Sequence, residues 1–153
     1  MNFYKNLVVL IKNPMENEIK NKTDETPGSR PRPDADRPLD AEMLKFDLNS
    51  VTARIKKEDD WQKDDHNAIT LMKSEKMRIV LIAMHAGSEI KMHKSEGPIS
   101  VHILEGKLKF KTEKESVILS KGELLTLHEN ISHSLSAIDE TSFLLTLVKK
   151  IQL

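Results

Sequence analysis

The chain is expected to be an all-β protein, a small antiparallel barrel or sandwich with a short helix ahead of it, and three observations predict this. From residue 68 to 149 the sequence runs as short apolar segments, near 68–73, 77–85, 90–94, 99–105, 107–112, 116–120, 124–128, 132–138 and 142–149. The breaks between them fall on turn residues, at Gly87, Gly97-Pro98, Gly106, Lys121-Gly122 and Asp139-Glu140. Within one segment Leu108 and Phe110 alternate with Lys107, Lys109 and Lys111, the period-two pattern of a strand with one buried and one wet face. Many short strands at this spacing close on themselves as a sandwich or barrel.

Composition narrows the class. A chain of 153 residues, 38% hydrophobic and 31% charged, fits one core plus an extension. Its 24 basic and 24 acidic residues cancel, so no large field draws it to nucleic acid or to an anionic membrane, and neither is expected as a partner. There is no cysteine, which removes disulfides, thiolate ligands and a cysteine nucleophile, and suits a cytoplasmic location. Leu7–Ile11 is only five apolar residues long, against roughly 7 to 15 for a secretory core and about 20 for a membrane helix. Asn21-Lys22-Thr23 and Asn130-Ile131-Ser132 match the glycosylation triplet, with no other sign of secretion.

Residues 1–40 are expected to form a disordered arm. Five of the six prolines fall between 13 and 40 among charged and amide side chains, and such a segment buries too little surface to offset its ordering entropy. Within it, Phe3, Tyr4 and Leu7–Ile11 either dock on the body or remain mobile. The domain proper is expected over 41–153. Leu48, Val51 and Ile55 are spaced as one helical face, predicting a helix near 48–58 with Asp47 or Asn49 at its N-cap and Lys56 and Lys57 in its last turn. Trp61, the one tryptophan, is expected to anchor that helix to the core rather than to serve as a binding platform.

Ile79, Leu81 and Ala83 share one face of the second strand, and Val80, Ile82 and Met84 the other. With both faces apolar, one covers the core and something else covers the second, either a partner copy in a homodimer or the 48–58 helix.

The chemistry-bearing residues cluster in two segments. The first runs Gly87, five residues, His93, Lys94, Ser95, Ile99 and Gly106; the second runs Gly122, five residues, His128, Asn130, His133 and Ala137. These segments resemble the paired motifs of the cupin superfamily, over roughly residues 68–149. The resemblance implies a jelly-roll, or double-stranded β-helix, antiparallel barrel. In its metal-binding members the ligands are two histidines and a glutamate from the first motif and a histidine from the second. Here His93 and His133 keep the ligand type, while Ser95 and Ile99 stand where a histidine and a glutamate would be. The resemblance therefore implies a depleted ligand set, with a divalent metal at His93 and His133 open beside a metal-free, hydrogen-bonded pair. A third imidazole from His102 is disfavoured because it lies an odd number of residues from Ile99; the Gly87 turn separates His85 from His93, and His128 sits in a turn.

The residues expected to meet a ligand are Lys91, His93, Ser95 and His133, with Lys91 placed on the face of His93 two residues away. Val101, Ile103, Leu135 and Ala137 would make the rest of the interior apolar, as suits a small organic molecule. Glu105 is expected at a strand end on the surface. No phosphate loop, HExxH or Gly-x-Ser-x-Gly elbow is present. The leading expectation is a small-molecule-binding or regulatory single-domain cupin. A metal-dependent oxygenase or isomerase using His93 and His133 is the alternative, so enzymatic activity stays open.

Overall fold

The computed structural model describes residues 37–150. Of the expected arm, residues 1–36, with Leu7–Ile11 and the Asn21 triplet, lie outside the described residues. From Arg37 the chain is held to the body: its guanidinium donates to the Leu71 carbonyl (3.0 Å) and the Thr70 carbonyl, and the Lys73 amide donates to the Leu39 carbonyl (3.0 Å).

The single helix expected near 48–58 is two. Helix α1 (Leu48–Ile55) starts at Asp47, whose carboxylate accepts from the Ser50 amide (3.1 Å) and hydroxyl (3.0 Å). It stops where the buried Asn67 side chain takes the Ile55 carbonyl (2.9 Å) and reaches the Glu58 carboxylate (2.8 Å). Glu58 is extended, and a five-residue helix α2 (Asp59–Lys63) follows, carrying Trp61. Lys56, the C-cap of α1, pairs with Glu105 and Glu140, each at 2.8 Å. Burial opposes its charge, but the two carboxylates outweigh that and raise its pKa.

Nine strands follow: β1 (His66–Lys73), β2 (Met77–Met84), β3 (Glu89–His93), β4 (Ile99–Glu105), β5 (Lys107–Thr112), β6 (Ser116–Ser120), β7 (Leu124–Leu127), β8 (His133–Ala137) and β9 (Thr141–Val148). All pairings are antiparallel. They form a five-stranded sheet ordered β1-β2-β9-β4-β7 and a four-stranded sheet ordered β3-β8-β5-β6. This is the expected jelly-roll barrel, flattened into two facing sheets that hydrogen bonds do not join into a closed cylinder.

Alternation along β2 divides the apolar side chains between two cores. Val80, Ile82 and Met84 fill the space between the sheets with Ile90, Val101, Ile103, Phe110, Leu135 and Phe143. Leu81 and Ala83 point the other way and pack with Ile55, Trp61, Ile69 and Leu71. The outer face of β1 and β2 is thus covered by α1 and α2 of the same chain, and a homodimer is not needed to cover it. Arg78 shares the parity of Val80 and is only 8% exposed.

The turn glycines work as punctuation. Gly87, Gly106 and Gly122 have φ of +84°, +79° and +85°, and Asn130, a residue that tolerates the left-handed region, has φ 61°. Gly106 is doubly constrained, because a Cβ there would also run into the Glu140 carbonyl oxygen and Thr141. Gly106→Ala is expected to lower folding stability by about 1–3 kcal/mol or more, read by urea denaturation; a change within experimental error would show that this turn relaxes freely.

Candidate functional site

β3 and β8 pair so that His93 stands directly opposite His133. Their ring centroids are 4.3 Å apart at 62°, an edge-to-face contact. Each ring is oriented by the carbonyl two residues before it: His93 Nδ1 lies 2.7 Å from the Lys91 carbonyl and His133 Nδ1 2.8 Å from the Ile131 carbonyl. A carbonyl only accepts, so in the neutral rings Nδ1 carries the proton and Nε2 the lone pair. Phe110 from β5 stacks on His133, with centroids 5.3 Å apart and planes 11° from parallel. His133 is 2% exposed. Burial, with a smaller contribution from His93 and against the Ile131 bond, lowers its pKa to about 4. At neutral pH His133 is an uncharged acceptor.

These rings line a cavity between the sheets. Its polar wall is His93, Ser95 and His133; its apolar wall includes Ile90, Ile99, Val101, Phe110, Leu135 and Leu147. The cavity measures about 330 Å³ out to its open mouth, and its enclosed part has room for about one water.

Three of the four residues expected to meet a ligand are therefore brought together: His93, His133 and Ser95, which is 7% exposed. Lys91 is not. A β-bulge between Ile90 and His93 breaks the alternation on which its placement depended, so Ile90 and His93, three residues apart, both line the cavity while Lys91 is exposed. Lys91 contributes its carbonyl to His93 instead. Val101 and Leu135 line the cavity as expected, and Ile103 and Ala137 are buried in the same core. Phe110 was expected on a buried face but not at the site. Only the β5–β8 pairing, Phe110 opposite Leu135, brings it beside His133, and that long-range register leaves no local mark in the sequence.

The donor set does not match a four-ligand metal site. Ile99, in the glutamate position, is an apolar wall residue, and no other imidazole joins the pair. His85 stacks on Trp61 (3.6 Å) with Nε2 2.8 Å from the Trp61 carbonyl. His102 lies between inward Val101 and Ile103 and so faces outward. The His128 side chain is 93% exposed beside Glu129. Among the described residues no group of three or more His, Cys, Asp or Glu is placed to hold a metal ion.

No family model and no curated protein matches the sequence. Solved structures do. A conserved protein of unknown function from Streptococcus pyogenes is 27% identical, covering 59% of this chain and 79% of its own at a TM-score of 0.55. A cupin 2 conserved barrel domain protein from Leptotrichia buccalis is 28% identical, covering 57% of this chain and 43% of its own at 0.54. A cupin-2 domain containing protein from Shewanella frigidimarina, 12% identical, covers 68% of this chain and 94% of its own at 0.56, a likeness of fold alone. Among the described residues no helix is long and apolar enough to cross a membrane.

Proposed function

This chain belongs to the cupin superfamily, and from that premise we propose that it binds a small molecule, in a binding or regulatory role, in the cavity lined by His93, Ser95 and His133. The observation that carries the reading is the wall itself: two imidazoles in contact and one hydroxyl in an otherwise apolar pocket, with Ile99 where a carboxylate ligand would stand. Such a wall suits an organic ligand that fills apolar space and meets few polar groups. With its enclosed part so small, a ligand enters by its narrow end or shifts the apolar side chains.

A second reading rests on the same pair. Two rings that both carry their lone pair on Nε2 and lie 4.3 Å apart are the start of a metal site, and in a metal-dependent oxygenase or isomerase they would be its protein ligands with a third donor from elsewhere. Two imidazoles and a hydroxyl hold a divalent ion weakly, which favours the first reading. A cytoplasmic location goes with either, on the cysteine-free sequence.

Metal analysis separates the two. Protein expressed with iron, manganese, zinc and nickel supplied is expected to purify with well under one metal ion per chain, and His93→Ala and His133→Ala to leave that content unchanged. Retention near one ion per chain, lost in His93→Ala, would overturn the binding-module reading in favour of the metal enzyme.

A further inference from the structure

We propose that the cavity selects an uncharged ligand bearing a hydroxyl or N–H group, which donates to Nε2 of His133 while the apolar body of the ligand fills the wider space. The inference rests on the small-molecule reading above and adds the polarity of what enters.

The two nitrogens of His133 are in different states. Nδ1 donates to the Ile131 carbonyl, which leaves the lone pair on Nε2 at the other side of the ring. Among the described residues none donates a hydrogen bond to Nε2. The fully enclosed side-chain nitrogens and oxygens that lack a partner are, among the described residues, the Ser142 hydroxyl alone. His133 Nε2 is therefore not sealed in, and the open space bordered by this buried ring is the cavity. A polar atom so placed is unmatched until something donates to it. Ser95, also buried, adds to the same wall a hydroxyl that has no partner among the described residues.

Charge does not suit this wall. Among the described residues that line the cavity there is no Asp, Glu, Lys or Arg, so an ion of either sign would be desolvated without a counter-charge. A carboxylate would in addition set its lone pairs against the lone pair of Nε2, whereas a neutral hydroxyl or N–H supplies the proton that this nitrogen accepts. Size agrees with the same assignment. The enclosed part of the cavity has room for about one water, and a hydroxyl or amino group needs no more. The rest of the ligand then lies in the wider part, where the walls are aliphatic or aromatic.

The test uses the full chain at neutral pH and benzene derivatives of similar size: phenol, which donates a hydrogen bond; anisole, whose methyl ether has no donor; and benzoate, an anion. Each is titrated while the imidazole nitrogen NMR signals of His93 and His133 are followed. Phenol is expected to shift the His133 Nε2 signal saturably and to bind about tenfold or more tighter than anisole, and benzoate to cause no shift. In His133→Phe, which keeps an aromatic ring but removes the acceptor, phenol and anisole are expected to bind alike, as read from the His93 signals. The comparison of probes on the wild-type chain decides the matter if that variant does not fold. Anisole binding as tightly as phenol, or benzoate binding as tightly as phenol, overturns the proposal and leaves the small-molecule site standing. A preference for phenol over anisole that survives in His133→Phe places the acceptor elsewhere and overturns it too. If no probe shifts either imidazole signal, the small-molecule reading falls with it.

Discussion

Replacing Trp61 with alanine is expected to cost about 3–5 kcal/mol of folding stability, the usual range for a buried aromatic truncated in a core. Trp61 is 5% exposed and is the largest side chain in the core outside the large sheet. It stacks on His85 at 3.6 Å, and the Lys56 ammonium stands 6.0 Å from its ring. It sits on a helix of only five residues, too short to hold its shape without tertiary packing. Its loss should release α2 and uncover Ile69, Leu71, Leu81 and Ala83, an apolar face that would then seek another cover. Urea unfolding gives the stability change and light scattering the association. Trp61→Phe, which keeps most of the packing, should lose less and stay dispersed. A Trp61→Ala variant as stable and as dispersed as wild type would show that the helical cover contributes little.

The second large effect is a loss of stability in mild acid. His133 has its pKa lowered from 6.5 to about 4 in the folded chain, chiefly by burial. The folded state therefore resists protonation where the unfolded state accepts it. Between pH 6.5 and 4 the unfolded chain binds more protons, so stability falls as pH falls through that window and is fully present above it. The shift is worth about 3 kcal/mol at the low end, at roughly 1.4 kcal/mol per pKa unit. His66, lowered by burial against the pull of Asp65, acts in the same direction. Asp47, held low by its bonds to Ser50, acts only further down, below its ordinary value of 3.8. Unfolding free energies measured from pH 7.5 to 4 should show the slope in wild type, and His133→Gln should flatten most of it whatever its absolute stability. An unchanged slope in His133→Gln would mean that another group titrates.

Much of the fold was legible because its signals are local. Turn glycines and alternation place every strand end within about two residues, and Asp47 announces the start of α1. What was not legible depends on contacts across the chain. The break between α1 and α2 is made by Asn67, a residue of β1 that takes the Ile55 carbonyl. The exposure of Lys91 follows from a bulge that the spacing to His93 does not reveal. At the site, His93, Ser95 and His133 stood out by type at motif spacing. Phe110 did not, since a strand phenylalanine reads as core until pairing fixes which side chains it meets.

The place of β9 in the large sheet bears on how the chain reaches this state. Strand β9 lies between β2 and β4, and its partners begin about 64 and 42 residues upstream. Until residues 141–148 are available, β2 and β4 each present an open edge, and Val80, Ile82, Val101 and Ile103 lack the phenylalanine that packs among them. Pairings so distant in sequence are slow to form and leave intermediates open to edge-to-edge association. Insertion of β9 between β2 and β4 is thus the long-range step on which completion of the large sheet depends.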